Sequence, residues 1–346
     1  MSGDGLRVAV VGATGAVGTE MLRILEERRF PVGELVAFSS ARSAGRSVRF
    51  RGDDVTLREL TPEALVGVDL SLSAAGASVA QGFVREAATA GTVCIDKSSA
   101  FRMEPDVPLV VPEVNPRALA GDPRIVAVPN CTTIVAMMAL APLHRAAGLR
   151  SLVVSSYQAV SGAGRDGTRE LAEQIEKLQG QVEELGHPDP GALPTGDVFG
   201  KTMAFNVLPK IDAFVEDGST GEEVKTVRES RKILDLPELD VAATCVRVPV
   251  PVGHSVSLLA RFSRSIDPNE ARALLRDSPG VDVRDDPANG VYPSPLEAAG
   301  RDDVLVGRIR RAGDHDDTLL LFACGDNLRK GAALNGIQIA ERLFDV

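Results

Sequence analysis

The stretch Leu6-Arg7-Val8-Ala9-Val10-Val11-Gly12-Ala13-Thr14-Gly15-Ala16-Val17-Gly18 decides the fold. It opens on the apolar run Leu6–Val11, the pattern of a strand buried on both faces of a parallel sheet. Glycines follow at 12, 15 and 18, and Thr19–Arg29 then reads as a helix with Met21, Leu22, Ile24 and Leu25 on its apolar side. A strand that turns through glycines into a helix lets the backbone approach a pyrophosphate, which rests on the helix N-terminus. The spacing is GxxGxxG rather than GxGxxG. Glycines can stand in such a turn for packing alone, so the position between strand and helix carries the reading of a dinucleotide site.

Working outward, Glu34–Phe38, Val68–Ser73, Val93–Ile95, Leu109–Val111 and Ile125–Val128 read as further strands, with a helix over Ala80–Ala90. This alternation predicts a parallel, doubly wound sheet. The pattern changes after Cys131. A long helix over Thr132–Ala147 is followed by a strand (Leu152–Ser156), a helix (Thr168–Leu178) and a Gly/Pro-rich loop around Gly186–Gly200. Strand-like segments follow at Ala242–Val250, Ser255–Phe262 and Leu319–Cys324. The final helix, Gly331–Leu343, is apolar at Leu334, Ile337, Ile339 and Leu343, and is expected to pack back on the first domain. The fold class is therefore α/β. An N-terminal doubly wound Rossmann-type dinucleotide-binding domain (1–131 and 326–346) is joined to a second, mixed α/β domain (132–325). A chain of 346 residues suits two domains.

Composition narrows the function classes. Hydrophobic residues make up 44% and charged residues 25%, an ordinary globular balance, but aromatics are only 4%, so the core must be built from Val, Leu, Ile and Ala. The net charge of −10 argues against a nucleic-acid or anionic-membrane partner held by bulk field, and an anionic substrate would need a local basic cluster. Residues Met1–Leu6 lack a basic segment followed by an apolar one, so no secretory signal is expected. The longest apolar stretch, about Ile134–Leu143, falls far short of the roughly 20 residues of a membrane helix. Cysteines stand at 94, 131, 245 and 324, with no CxxC pair, which suggests neither a disulfide framework nor a metal site. A cytoplasmic location is the default expectation.

Three local features point to chemistry. The second strand ends in Ser39-Ser40-Ala41-Arg42-Ser43, with no acid to hold a ribose 2′-OH. An Arg with hydroxyls suits a 2′-phosphate, so NADP is the expected cofactor. Asn130-Cys131-Thr132-Thr133 places a thiol at a helix N-terminus, where the dipole and free N–H groups favour a thiolate and could hold an oxyanion. Cys94, Cys245 and Cys324 lie in apolar strands and read as core residues. A thiol nucleophile needs an acid/base partner. His144 lies on the long helix, and His187 and His315 lie in polar loops. His254 instead sits in a Pro/Gly turn between two strands, within Arg247-Val248-Pro249-Val250-Pro251-Val252-Gly253-His254-Ser255, and is the candidate.

At these residues the chain resembles the aspartate-β-semialdehyde dehydrogenase family. The resemblance runs over nearly the whole length: GATGAVG at 12–18, SARSAG at 40–45, SSAFRM at 98–103, PNCTT at 129–133, SSYQAVSGAG at 155–164, AFNVLPKID at 204–212, RVPVPVGHS at 247–255 and DNLRKGAALN at 326–335. It implies reduction of L-aspartyl-4-phosphate to aspartate semialdehyde with NADPH and release of phosphate, in the biosynthesis of lysine, methionine, threonine and isoleucine. It implies Cys131 as nucleophile, His254 as acid/base, Gln158 as orienting residue, Arg247 for the substrate carboxylate and Glu222 for its amino group. Arg102 and Lys225 would hold the phosphate. Thr14, Gly15, Ala16, Val17, Arg42, Ser43, Ser161, Gly162 and Asn327 match cofactor-binding positions. A homodimer is implied, with the second domain's sheet as its interface.

Physical chemistry agrees with this assignment. Arg247 can grip a carboxylate through two parallel hydrogen bonds. Arg102 and Lys225 supply the local positive charge that a chain of net −10 requires. One position departs from the pattern: Lys97 stands before SSAFR where the family commonly has Asn. The extra cation either modifies phosphate binding or points to solvent. Another acyl-phosphate reductase, such as N-acetyl-γ-glutamyl-phosphate reductase, would share the chemistry with a different pocket. A non-catalytic nucleotide-binding relative would lack the nucleophile or the base.

Overall fold

The run Leu6–Val11 forms β1, and the first sheet is built around it. The computed structural model describes residues 5–189 and 191–346; residues 1–4, part of the N-terminal stretch expected to carry no signal, lie outside the described residues. After β1 come α1 (Ala16–Glu27), β2 (Val32–Ser39), β3 (Ser47–Phe50), β4 (Asp53–Glu59), β5 (Leu70–Ser73), α2 (Ala77–Gln81), α3 (Val84–Thr89), β6 (Val93–Asp96) and β7 (Ile125–Ala127). The strand order is β3-β4-β2-β1-β5-β6-β7. Every pair is parallel except the β3–β4 hairpin. The order reverses at β1, between β2 and β5, and open α/β sheets bind ligands at the carboxyl ends of strands at such a switch point. The Gly12–Gly18 turn lies there. A Cβ on Gly18 would collide with the Gly12 carbonyl oxygen, so α1 closes on β1 only over a bare glycine.

The rest of the chain forms α4 (Cys131–Ala147), β8 (Leu149–Gln158), α5 (Gly164–Leu178), α6 (Gly221–Leu234), β9 (Asp240–Arg247), β10 (His254–Phe262), α7 (Pro268–Arg276), β11 (Val281–Val283), α8 (Pro295–Ala298), β12 (Val304–Ala312), β13 (His315–Gly325) and α9 (Leu334–Phe344). Six of its strands make a second, mixed sheet in the order β11-β12-β13-β10-β8-β9. Helices α4, α6 and α7 pack against strands of this sheet. Helix α4 is buried almost all round, from Thr132 to Leu143, as an apolar helix at the centre of a molecule must be. Helix α9 contacts α1, β5 and β6, so the chain does return to the first sheet. Arg329 ties this return down through Glu20 (2.8 Å) and Glu27 (2.8 Å) of α1 and through Asp302 (2.6 Å).

Two sequence expectations need correction. The helix expected over Ala80–Ala90 is two short helices, α2 and α3, separated at Gly82 and Phe83. Leu109–Val111 is not a strand and makes one isolated bridge, Leu109 to Ala127. The Asn115 side chain accepts from the Val111 N–H and donates to the Leu109 carbonyl, taking the backbone groups a ladder would use. The elements α6, α7, β3, β4, β11 and β12 were not foreseen.

Candidate active site

Three neighbouring strands of the second sheet end at one place. Gln158, the last residue of β8, pairs with Arg247, the last residue of β9. His254 opens the antiparallel β10, where the next residue, Ser255, pairs with Tyr157. Backbone register alone thus delivers Gln158, Arg247 and His254 to one edge. Gly253 makes the turn into β10 possible. Its φ is +94°, and a Cβ there would lie 2.5 Å from the Pro295 carbonyl oxygen. Asn327 fixes this turn, accepting from the Gly253 N–H at 2.9 Å and donating to Ser161 Oγ at 3.0 Å.

Cys131 meets this edge from the side of the first sheet, as the first residue of α4. Asn130 caps the helix: its side chain accepts from the N–H groups of Thr132 (2.9 Å) and Thr133 (3.4 Å). Those two amides are therefore engaged by the cap. The Asn130 backbone N–H donates to Glu229 at 2.6 Å, and its side-chain NH₂ donates to Glu222 at 2.9 Å. The residue that precedes Cys131 is thus held on three sides.

A cavity of about 540 Å³ lies between these pieces. It is lined by Cys131, Gln158, Arg247, Glu222, Arg102, Lys225, Ser161, Gly162, Asn327, Gly15, Ala16 and Val17 among others. His254 is fully buried behind it. A Cβ placed on Gly162 would lie 2.7 Å from Arg247 Nη1 and 3.3 Å from His254 Nε2, so the turn carrying Gly162 lies directly against both side chains. Thr14 and Ser43 line an adjoining cavity of about 840 Å³, which also touches Gly15 and Ala16. Arg42 is exposed on the same turn as Ser43, outside both linings.

The charges in the inner cavity are heavily paired. Arg102 donates to Glu229 (2.8 Å), the Val128 carbonyl (2.9 Å) and the Lys97 carbonyl (2.6 Å). Lys225 pairs with Asp212 (2.8 Å) and Glu222 (3.4 Å). Burial works against the Lys225 ammonium, but Glu222 and Asp212 outweigh it and hold its pKa above the ordinary value. Arg247 donates to the Ala159 carbonyl at 2.6 Å, and burial lowers its pKa. Burial and Glu222 push the Cys131 thiol up to about 11, against the pull of Lys97, Arg102 and Arg247. This reverses the simple expectation from the helix N-terminus: in the free protein Cys131 is a neutral thiol.

His254 is neutral as well. Burial first, then Arg247, holds its pKa well below the ordinary 6.5. Its Nδ1 accepts from the Ala159 N–H at 3.1 Å, so the single proton resides on Nε2. That buried Nε2 has no partner among the described residues. His254 therefore rests as a hydrogen-bond donor.

The comparisons with known proteins follow this geometry. Residues 7–121 match the family model for the semialdehyde dehydrogenase NAD binding domain, and residues 140–330 match the one for the semialdehyde dehydrogenase dimerisation domain. The aspartate-semialdehyde dehydrogenase of Bacillus subtilis is 46% identical over 343 residues, covering 99% of this chain and 98% of its own. The chain belongs to the aspartate-semialdehyde dehydrogenase family. Among solved structures, aspartate semialdehyde dehydrogenase II from Vibrio cholerae, complexed with ASA, superposes with a TM-score of 0.91 at 40% identity, covering 99% of this chain and 98% of that one. The enzyme from Candida albicans, solved with NADP, gives a TM-score of 0.74 at 25% identity, covering 98% of each chain.

Within this aspartate-semialdehyde dehydrogenase scaffold, helix α6 brings Glu222, Lys225 and Glu229 to one face. Sequence reasoning missed Glu229, and it missed the helix that carries it. Apolar periodicity could not find α6, because its buried face includes Glu222, Thr226, Glu229 and Ser230. The signal that would have found it is the capping box Thr220-x-x-Glu223, whose two reciprocal hydrogen bonds both form. Lys97 was noted as a departure from the family pattern, and it lines the inner cavity beside Cys131 rather than pointing to bulk solvent.

Proposed function

We propose that the chain catalyses NADPH-dependent reductive dephosphorylation of L-aspartyl-4-phosphate to L-aspartate 4-semialdehyde, through a thioester on Cys131. This step serves the biosynthesis of lysine, methionine, threonine and isoleucine. One observation carries the reading: a thiol, an arginine and an amide line one cavity that opens onto the Gly12–Gly18 turn, and a donor imidazole is packed directly behind its Gly162 wall. The residues present fit a dinucleotide phosphate. The turn lies at the sheet's switch point, and the adjoining cavity is lined by Ser43, Arg46, Arg49 and Arg165. This cluster, on β3 and α5 as well as the 39–46 turn, favours a 2′-phosphate more strongly than Arg42 alone.

Each residue then has a task. Arg247 holds the substrate carboxylate and Glu222 its ammonium. Arg102, with two N–H groups left over from its three bonds, and Lys225 face the phosphate. Cys131 Sγ attacks the acyl carbonyl carbon, the C–O bond to phosphate breaks, the thiol proton leaves on the departing phosphate, and a thioester forms. NADPH bound along the cradle would supply the hydride for its reduction. His254 Nε2–H donates to the former carbonyl oxygen as that oxygen gains negative charge. It takes the proton back as the C–S bond breaks, so the aldehyde departs and the thiolate returns. Substrate and dinucleotide filling the cavity would shield the thioester from water.

We further propose domain boundaries at 1–131 with 326–346, and 132–325, and a homodimer built on the exposed face of the second sheet. That face shows Val153 and Tyr157 of β8 to solvent at 46% and 40%. Sedimentation at equilibrium should give twice the chain mass, and a monomer at micromolar concentration overturns the dimer. The activity is tested by absorbance with aspartate semialdehyde, phosphate and either NADP or NAD. NADP should be preferred, and Cys131→Ala should abolish turnover. Substantial phosphate-dependent oxidation by Cys131→Ala refutes the thioester.

A further inference from the structure

We propose that the Lys97 ammonium is the ion-pair partner of the Cys131 thiolate, a role that rests on Cys131 being the nucleophile. Lys97 directly follows β6, and its backbone is fixed at both ends. Its N–H donates to the Ser73 carbonyl at 3.2 Å, and its own carbonyl accepts from Arg102 at 2.6 Å. The side chain lines the same cavity as Cys131. Every other cation of that cavity is already held. Arg102 has Glu229 at 2.8 Å, Lys225 has Asp212 at 2.8 Å, and Arg247 has the Ala159 carbonyl at 2.6 Å. The Lys97 ammonium makes no hydrogen bond or ion pair with any described residue.

The electrostatics point both ways along this pair. Among charged neighbours of Lys97, Cys131 acts most strongly, ahead of Arg102 and Asp96. Among cations acting on Cys131, Lys97 stands ahead of Arg102 and Arg247. The charged groups facing the thiol are thus Lys97 after β6, Arg102 in the loop beyond it, Arg247 on β9, and Glu222 on α6, with Lys225 and Glu229 behind Glu222 and neutral His254 at the start of β10. Burial disfavours the ammonium of Lys97 and the thiolate of Cys131 alike. Forming the thiolate relieves both, because each charge then has its partner. Arg102 and Lys225 already spend their charge on Glu229, Asp212 and Glu222, so Lys97 brings the uncommitted cation of this cavity. His254 cannot take the thiol proton at Nε2 in its resting tautomer, so lowering the thiol's own pKa is what remains.

Alkylation of Cys131 by iodoacetamide, followed across pH by mass spectrometry of its peptide, tests the pair on the free protein. No substrate or cofactor is present, so the result does not depend on the reaction assigned above. Iodoacetamide is uncharged, so loss of a cation does not change its approach. Lys97→Met and Lys97→Gln should move the midpoint up by about one pH unit and slow alkylation about tenfold at pH 8. Lys97→Arg should stay within about threefold of the native rate, because it keeps the charge. Cys94, Cys245 and Cys324 are buried and report on folding: they stay unmodified if the variant is native. If one neutral variant exposes them, the other decides. Native alkylation rates at every pH in a folded neutral variant overturn the proposal.

Discussion

The two cavities hold their charges in opposite ways. The inner one, around Cys131, buries its ions and gives nearly every one a fixed partner: Arg102 and Glu229 have side chains only 10% and 2% exposed. The outer one, beside Gly15, gathers Arg46, Arg49, Arg165 and Arg169 on exposed turns, a hairpin and a helix end. There Arg49 donates to the Gly52 carbonyl and Arg165 to Thr19 Oγ, while Arg169 makes a surface pair with Asp166. The difference follows from the tasks proposed. Chemistry at one carbon needs groups placed to within a fraction of an ångström. Recognition of a phosphate at the far end of a cofactor needs positive charge, and solvated arginines suffice. Mutations should therefore act by geometry in the inner cavity and by charge in the outer one.

The largest effect is expected at Glu229. It accepts from both Arg102 and the Asn130 backbone, next to Cys131. Glu229→Ala leaves the Arg102 cation buried without its anion, and removing one partner of such a pair costs about 3–5 kcal/mol. Urea unfolding should show that loss in full, and a change below about 1 kcal/mol would mean that Arg102 finds water or another anion.

Next comes Gly162→Ala. The added methyl would lie 2.7 Å from Arg247 Nη1, so either the arginine or the turn must move. A displacement near 1 Å at a reacting centre lowers kcat/KM by about a hundredfold. Stability should hardly change, since Gly162 is exposed to the cavity. Near-native kcat/KM would show that the inner cavity tolerates more slack than its hydrogen bonds suggest.

What the sequence revealed about each cavity follows the same division. Strands β1, β5 and β6 are buried on both faces, so unbroken apolar runs announce them. Strands β3 and β4 expose Arg49, Asp53, Asp54 and Glu59, and their alternation is drowned by charge. The outer cavity draws Arg49 from that hidden hairpin, which is why Arg42 stood out in its place. In the inner cavity the residues in motifs were legible: Cys131, Gln158, Arg247 and His254 all converge. Their supports were not. Glu229 lies in a helix whose buried face is polar, and its contact is with Arg102, 127 positions away in sequence. Protonation states were also illegible, since the Cys131 and His254 shifts come from burial that only tertiary packing creates.

A smaller effect is a pH slope in stability. Burial, then Arg247, keeps His254 neutral in the folded protein well below its ordinary 6.5, whereas in the unfolded chain it protonates near that value. Below pH 6.5 the unfolded state therefore binds more protons, and stability falls as pH falls, by up to about 1.4 kcal/mol per unit. Above that pH the contribution is flat. His144, also lowered by burial, adds a weaker slope of the same sign. Urea unfolding at pH 7.5 and 5.5 should show a shallower fall in His254→Asn than in the native protein. Equal falls would mean that water reaches the imidazole and that the inner cavity is less dry than its packing implies.

The smallest effect belongs to the outer cavity, and its signature is selectivity rather than size. Arg165 is exposed and shares its guanidinium with Thr19 Oγ at 2.8 Å, so a bond to the proposed 2′-phosphate would be a solvated one, worth about 1 kcal/mol. Arg165→Ala should raise the KM for NADPH about fivefold, leave kcat alone, and leave the KM for NADH unchanged. The loss should shrink as salt is raised, because an exposed pair is screened over about 10 Å at 0.1 M ionic strength. Equal loss for both cofactors would place Arg165 against the pyrophosphate or adenosine instead, and a fall in kcat would bring the outer cavity under the geometric rule of the inner one.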